Sequence, residues 1–452
     1  MLNEYRVPAP PDGLKIVVRV LTELKPNPRN ARIHSRRQIH QIADSIEAFG
    51  FNNPVLVDEH SMIIAGHGRV EAAKLLGLTE VPTVCLTHMN EAQKRAYVLA
   101  DNRLAEKAGW DKDILALEFQ ALIELAPELD LTVTGFEIAE IDLTLQEDEP
   151  AEADVLDDVA LPEPEAPVVT RMGDLWLLGE HRVLCADATQ EHSYICVLQG
   201  EQAQMVFCDP PYNVPIDGHV SGLGRAQHPE FPMASGELSG AGYTAFLATT
   251  LERIAAHSAG GAIAFVCMDW RHLYELMTAG RIAKLTLKNL VVWAKNNAGM
   301  GSFYRSQHEL IAAFKVGQAP HINSFELGQH GRRRTNVWTY PGFNSFGPKR
   351  EAALAMHPTV KPVALVADAI KDCSKRNGLI LDPFLGSGTT VIAGEVTGRR
   401  VTGIELDPRY VDCTLRRWEK LTGREAILAA TGETFTTVAA ARTEAGEGVP
   451  RG

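Results

Sequence analysis

The sequence predicts an α/β chain in which a large, mostly parallel, buried sheet follows a smaller α+β domain. Three observations carry this. From about Thr170 onward, apolar runs of strand length alternate with helical patterns. A glycine turn, Gly386-Ser387-Gly388, sits between one such run and a helical pattern. An acidic, proline-rich stretch without hydrophobic periodicity divides this part from what precedes it. A length of 452 residues suits two or three domains. No run of about twenty apolar residues predicts a membrane span. Met1 to Asp12 has no basic stretch followed by an apolar core, so no signal peptide is expected and the expected location is cytoplasmic.

The smaller domain spans 13–143. It opens with a strand, Lys15 to Val20, and a turn at Pro26 to Asn30. Ile39, Ile42, Ile46 and Phe49 fall at helical spacing, and Gly50 stops that helix. Strands are expected at Pro54 to Val57 and Met62 to Ala65, a helix at Val70 to Leu76 and a strand at Val81 to Leu86. Glu91 to Glu106 and Asp111 to Glu128 read as helices. Residues 144–168 read as a flexible, self-repelling linker. In the third block, 169–435, the strand-like runs are Met205 to Cys208, Ala262 to Cys267, Leu290 to Trp293, Leu310 to Phe314, Leu379 to Leu381 and Arg400 to Ile404. Residues 436–452 are small and polar and read as a disordered tail.

The net charge of −13 runs against nucleic-acid binding, but it is unevenly spread. Twelve acids and no Lys or Arg lie between Glu137 and Glu165, so the remainder is close to neutral. Basic clusters stand at Arg332-Arg333-Arg334, Lys349-Arg350 and Arg416-Arg417. The seven cysteines form no CxxC pair, which argues against a metal site and for buried thiols.

Two motifs carry chemistry. Asp209-Pro210-Pro211-Tyr212 follows an apolar strand, and ligands of α/β sheets bind beyond the carboxyl ends of strands. The prolines fix the backbone, so a carboxylate and an oriented carbonyl together can accept both hydrogens of an amino group. Tyr212 offers a flat surface for a base. The second motif runs from Leu379 through Asp382-Pro383-Phe384-Leu385 and Gly386-Ser387-Gly388 to a helix beginning near Thr389. The next strand ends at Glu405, an acid placed for ribose hydroxyls. The third glycine of a dinucleotide fingerprint would fall at Val391, which weakens a nicotinamide reading.

These residues resemble the amino-methyltransferases of DNA, in the permuted beta-type order with the DPPY motif ahead of FxGxG. His357-Pro358-Thr359-Val360-Lys361-Pro362 resembles that family's HPTxKP segment, Arg305-Ser306-Gln307-His308-Glu309 its RxxHE motif, and Leu184-Cys185-Ala186-Asp187 its CGD. The resemblance implies a Rossmann-like sheet and S-adenosylmethionine as cofactor, held by Asp187, Lys361, Asp382, Phe384, Gly386, Ser387, Gly388, Thr389 and Glu405. It implies catalysis by Asp209, Pro210, Pro211 and Tyr212 on a flipped base in double-stranded DNA. Asp at the first motif position tilts the expectation to adenine N6 and leaves cytosine N4 as the alternative. Residues 317–356 are the candidate target-recognition segment, with Arg332, Arg333, Arg334, Lys349 and Arg350 as DNA contacts. The glycine-rich stretch Asp217 to Gly242 reads as a loop that closes over the base. The lesser reading of His308 and His357 is as plain polar contacts, and Trp293 and Trp338 read as core. Cys208 reads as buried, not as a covalent nucleophile. A homodimer and a companion restriction endonuclease are left open.

In the first block, Asn27-Pro28-Arg29-Asn30, Gly50 to Val57 and Ala65-Gly66-His67-Gly68-Arg69 resemble the ParB/sulfiredoxin-like domain over about Ile16 to Glu106. The resemblance implies a nucleotide or phosphate site at Gly66, Gly68 and Arg69. Relatives often have a GERR-type box, and the missing Glu counts against hydrolysis. The competing readings are a domain that only helps place DNA and, for the whole chain, a non-catalytic DNA- or nucleotide-binding protein.

Overall fold

The computed structural model describes residues 13–126, 129–145, 156–157, 167–213, 236–296, 304–324, 334–341 and 361–447. It divides into two units, Met1–Leu145 and Gln146–Gly452.

In the first unit the elements are β1 (Ile16–Val20), α1 (Arg36–Phe49), β2 (Val55–Val57), β3 (Ile63–Ala65), α2 (His67–Leu75), β4 (Glu80–Cys85), α3 (Glu91–Ala105), α4 (Lys112–Leu125) and α5 (Ile138–Thr144). The sheet order is β1-β4-β2-β3. Local chemistry sets the helix ends. Ser35 accepts the Gln38 N–H at the start of α1, and Gly50, with φ 84°, ends that helix. Asn90 and Gln93 form a reciprocal cap on α3, and Asp111 caps α4. Val55, Val57, Ile63, Val70 and Val81 form the buried cluster between sheet and helices.

The second unit contains β5 (Leu175–Leu178), β6 (His181–Cys185), α6 (Glu191–Leu198), β7 (Ala203–Cys208), α7 (Gly240–Ala256), β8 (Ser258–Met268), α8 (Leu273–Ile282), β9 (Thr286–Ala294), β10 (His308–Lys315), β11 (Val337–Thr339), α9 (Val363–Cys373), β12 (Leu379–Asp382), α10 (Thr389–Thr397), β13 (Arg400–Glu405), α11 (Pro408–Thr422), β14 (Ile427–Leu428) and α12 (Phe435–Glu447). The ten-stranded sheet has the order β11-β9-β10-β8-β7-β12-β13-β6-β5-β14. Its centre, β8-β7-β12-β13-β6, is parallel throughout. Both faces are covered by apolar clusters, one around Trp176, Trp293 and Trp418, the other around Tyr194, Tyr243 and Phe314. Trp293 and Trp338 are core residues, and Cys208 is buried.

The expected large, mostly parallel sheet is present, and it includes β10, antiparallel to both β8 and β9, and β5, antiparallel to both β6 and β14. No helix separates β9 from β10 among the described residues, so they lack the crossover that a parallel pair needs. Three expectations are corrected. The chain after Thr436 is not a disordered tail as far as Glu447. It forms α12, anchored by buried Phe435 edge-on to Trp176 at 5.5 Å, by buried Val438, and by Arg442 paired with Asp174. The stretch 144–168 is not wholly free linker: Leu156 packs on the core and Asp157 accepts the Val363 N–H at 2.8 Å. Gly240 to Gly242 belong to α7, while residues 217–235 of the expected loop lie outside the described residues.

The fold makes α12 part of the second unit. Phe435→Ala should cost about 3 kcal/mol of stability, read as a lowered denaturation midpoint. An unchanged midpoint would return this segment to the status of a tail.

Candidate active site

The parallel centre of the sheet brings both motifs to one edge. β7 ends at Cys208, so Asp209 is the first residue beyond it, and the neighbouring β12 ends at Asp382. Two consecutive prolines stop the ladder at that point. The turn is then held from the side. The buried Tyr243 donates its hydroxyl to the Pro211 carbonyl at 2.7 Å. Asn213, at φ 52°, accepts the N–H groups of Gly236 and Leu238 and donates to the Leu238 carbonyl.

A charged network surrounds Asp209. Lys361, with a side chain only 4% exposed, donates to Asp209 Oδ2 at 2.6 Å, lies 3.1 Å from Glu309 Oε2 and 3.3 Å from the Tyr212 hydroxyl oxygen. An ammonium has three N–H donors, and three oxygens receive them. The Tyr212 hydroxyl donates to Asp209 Oδ1 at 2.7 Å. Lys295 pairs with Glu309 Oε1 at 2.5 Å and lies over the Trp293 ring. Two lysines and two carboxylates thus balance in a largely buried space.

The electrostatics follow from that arrangement. Burial pushes the Asp209 carboxyl up, and Lys361 works against the rise. Burial also opposes ionisation of Glu309, but Lys361 and Lys295 outweigh it and hold that carboxyl at about 2. Burial disfavours the Lys361 charge, yet Asp209 and Glu309 hold its pKa well above the ordinary range.

The glycine turn connects β12 to α10. Gly386 has φ 55°, and a Cβ there would meet nothing within 4 Å: its missing side chain leaves open space. Gly388 serves packing instead, since a Cβ would come within 2.5 Å of the Thr414 side chain. Glu405 accepts the Gly386 N–H through Oε2 and the Asp407 N–H through Oε1, each at 2.8 Å. Asp382 accepts the Phe384 N–H at 3.1 Å and the Thr390 hydroxyl at 2.6 Å. Burial raises both carboxyls to about 7, against the pull of those hydrogen bonds. Asp187 follows β6 and receives the Thr189 N–H and hydroxyl. The Ala186 N–H donates to the Glu405 carbonyl, so Asp187 and Glu405 stand at neighbouring strand ends. Ser387 and Thr389 are buried, with Arg417 donating to the Ser387 carbonyl and the Thr389 hydroxyl at 3.2 Å each. Phe384 packs against Phe246.

Several sequence expectations move. Lys361 stands in the Asp209 network and not on the glycine turn. Arg334 is not a free DNA contact: it pairs with Asp372 at 2.9 Å and Asp368 at 3.3 Å and stacks over Trp338. Arg332, Arg333, Lys349, Arg350 and His357 lie outside the described residues. Gly68 packs α2 on α1, where a Cβ would lie 3.0 Å from the Ile42 side chain. Gly66 starts α2 at φ 101°, with the Arg69 guanidinium folded against it. Sequence reasoning gave no role to Lys295, Tyr243 or Asn213, and named Glu309 only as the last residue of the RxxHE segment. The available signal for two of them was a lone charge at the end of an apolar strand, Lys295 after Leu290 to Ala294 and Glu309 before Leu310 to Phe314. Among the described residues, no His, Cys, Asp and Glu group could hold a metal ion, and no helix is long and apolar enough to cross a membrane.

An acid-Pro-Pro-Tyr turn and a glycine turn on adjacent parallel strands define the class: an α/β methyltransferase domain. Residues 203–416 match the DNA methylase model of the N6/N4 family, and residues 14–103 match the ParB N-terminal domain. The chain therefore carries an N6/N4-type DNA methylase domain behind a ParB domain. A third match, the ParB-methyltransferase HTH domain, covers 113–172. It takes in α4, α5 and the acidic stretch, which the sequence reading had divided into helical extension and linker. The ParB-like nuclease domain-containing protein YnaK of Escherichia coli (strain K12) is 51% identical over 84 residues, 19% of this chain and 97% of YnaK. The type II methyltransferase M2.MboI of Moraxella bovis is 30% identical over 159 residues, 33% of this chain and 57% of that protein. The chain thus spans little more than half of that relative's length. The crystal structure of M1.HpyAVI aligns with a TM-score of 0.37 and 19% identity, over 52% of this chain and 96% of that one.

The raised Asp382 carboxyl predicts a pH effect. Its folded value, about 7, exceeds the ordinary aspartate value of about 4. Its neutral form therefore stabilises the fold at acid pH, and this contribution is lost as pH rises through 7. Asp382→Asn should flatten the fall in melting temperature between pH 5 and pH 8 relative to the unmodified chain. Parallel profiles for the two proteins would contradict the assignment.

Proposed function

We propose that this chain transfers a methyl group from S-adenosylmethionine to the exocyclic amino nitrogen of a base in duplex DNA, namely adenine N6. One observation carries the reading: the Asp209 carboxylate, held beside Lys361 at the end of β7, one strand away from the glycine turn. The DNA methylase match and the type II methyltransferase relatives support the substrate class.

The residues of the cradle fit such a cofactor. Gly386 leaves open space beside its own backbone, and the half-buried acids Glu405 and Asp187 stand at adjacent strand ends within reach of hydroxyl groups. When bound, the cofactor supplies an activated methyl on sulfur, so that the protein need not generate an electrophile. The protein's own part is to bind and orient the nitrogen. Asp209 and the Pro210 carbonyl accept the two amino hydrogens, turning the nitrogen lone pair toward the methyl. The same carboxylate stabilises the positive charge that grows on nitrogen. A carboxylate has about four lone-pair sites, so Asp209 can take an amino hydrogen while retaining Tyr212 or Lys361. Tyr212 does more than stack. Its hydroxyl fixes Asp209, and Lys361 lies 5.5 Å from its ring centroid.

The target must leave the base stack to reach this edge. The HTH match over 113–172 and the ParB match support a role for the first unit in holding DNA. In this reading 13–143 and 169–435 are the binding and methylating domains, and 317–356 contributes base readout without Arg334. Adenine is favoured by Asp at the first motif position; cytosine N4 would use the same acceptors.

Methyl transfer from labelled S-adenosylmethionine to mixed-sequence duplex DNA, followed by nucleoside analysis, tests the proposal. The deoxy form of N6-methyladenosine is expected. N4-methylcytosine would keep the mechanism and change the base, and an absence of any methylated nucleoside would refute the activity. Asp209→Ala should lower the rate at least about a hundredfold while cofactor affinity is retained. Gly386→Val should abolish cofactor binding, measured by calorimetry, by placing a branched side chain in the open space at positive φ.

A further inference from the structure

We infer that Leu156 and Asp157, in the acidic stretch near the start of the second unit, form a strap that positions both halves of the methyl-transfer site. The inference rests on the assignment of Asp209 and the glycine turn to that reaction. It follows from three contacts that converge on this dipeptide. The Leu156 side chain packs on the core cluster that contains Val363 and Val411. The Leu156 carbonyl accepts from Arg417 Nη2 at 2.8 Å. Through Nη1 the same arginine holds the Ser387 carbonyl and the Thr389 hydroxyl, within the glycine turn and at the first residue of α10. Asp157 Oδ1 accepts the Val363 N–H at 2.8 Å.

The last contact has a clear physical purpose. α9 begins at Val363, and its N-cap is Pro362, which has no side-chain acceptor for the orphan first-turn amides. Asp157 supplies the missing acceptor from a distant part of the chain. Its negative charge also suits the positive end of the helix. Lys361, the donor shared by Asp209 and Glu309, stands two residues before Val363. Fixing the start of α9 therefore fixes where Lys361 emerges. One end of the strap thus steadies the Asp209 network, and the other steadies the turn that cradles the cofactor. The acidic stretch is a working part of the second unit.

The test uses the full-length chain with Asp157→Ala, Asp157→Asn and, as a charge control from the same stretch, Glu163→Ala. Asp157→Ala should lower kcat about fivefold, the scale of losing a helix cap, with the KM for DNA unchanged. Asn retains an oxygen acceptor for the Val363 N–H and should restore most of the rate. Amide exchange in the first turn of α9 should speed up in the Ala variant and not in the Asn variant. A folded Asp157→Ala protein with unchanged kcat and unchanged exchange would overturn the inference. So would an equal loss in Glu163→Ala, which would reduce the effect to bulk charge. The exchange measurement needs no turnover. If the unmodified chain methylates no DNA, exchange alone decides whether the strap holds α9.

Discussion

Lys361 is drawn out of water into a space where two carboxylates and a phenol compete for it, and the geometry of the catalytic edge depends on that one ammonium. Taking a charge into a protein interior is expensive, and an ion pair repays the cost only when its hydrogen bonds are nearly complete. Here they are: Asp209, Glu309 and the Tyr212 hydroxyl surround the ammonium, and Lys295 balances the second carboxylate. Removing any one of the four charged members would leave an uncompensated charge in a confined space. The network therefore reads less as a source of stability than as a device that keeps Asp209 ionised and pointing in one direction.

The cofactor side is built on a different principle. Glu405 and Asp382 sit in surroundings that raise their carboxyls to about 7, and backbone N–H groups and the Thr390 hydroxyl, not cations, satisfy them. They tie the glycine turn to the ends of β13 and β12. The turn is rigid where Gly388 packs on Thr414 and open at Gly386. The acceptor side is thus organised by full charges and the cofactor side by hydrogen bonds to a fixed backbone. Adjacent parallel strands hold the two at a constant separation.

Much of this was legible in the sequence because its signals are local. An apolar run and a conformationally special turn adjoin at Asp209, and an apolar run, a glycine turn and a helical pattern lie within a dozen residues of Gly386. Features that depend on distant partners were not legible. Lys361 lies 152 positions from Asp209, and nothing near it in the chain shows which site it enters. The polarity of β9 and β10 was hidden because apolar strand runs look alike whichever way they pair. The segment after Thr436 looks like a tail because it has few anchors. Phe435, Val438 and Arg442 are enough once Trp176 and Asp174 are in place to receive them. Leu156 lies with Val155, Val159 and Leu161 in an acidic stretch without periodicity, and only Arg417 and α9 give it and Asp157 a place. Arg334 failed in the opposite sense: a basic cluster reads as a surface for phosphates, and the fold consumes this member in its own ion pairs.

The central claim, that Lys361 keeps Asp209 ionised for catalysis, is tested most directly by the pH dependence of single-turnover methyl transfer in Lys361→Met. Besides Lys361, the titratable groups facing Asp209 among the described residues are Tyr212, Glu309, Cys208, Cys267, Tyr243 and Asp382, with Lys295 held beyond Glu309. None of them supplies a cation in direct contact with Asp209. Burial already pushes the Asp209 carboxyl up, and losing the neighbouring ammonium would push it further. The acid limb of the rate profile should therefore move to higher pH. An acid limb that stays where it is in the unmodified protein would contradict the account.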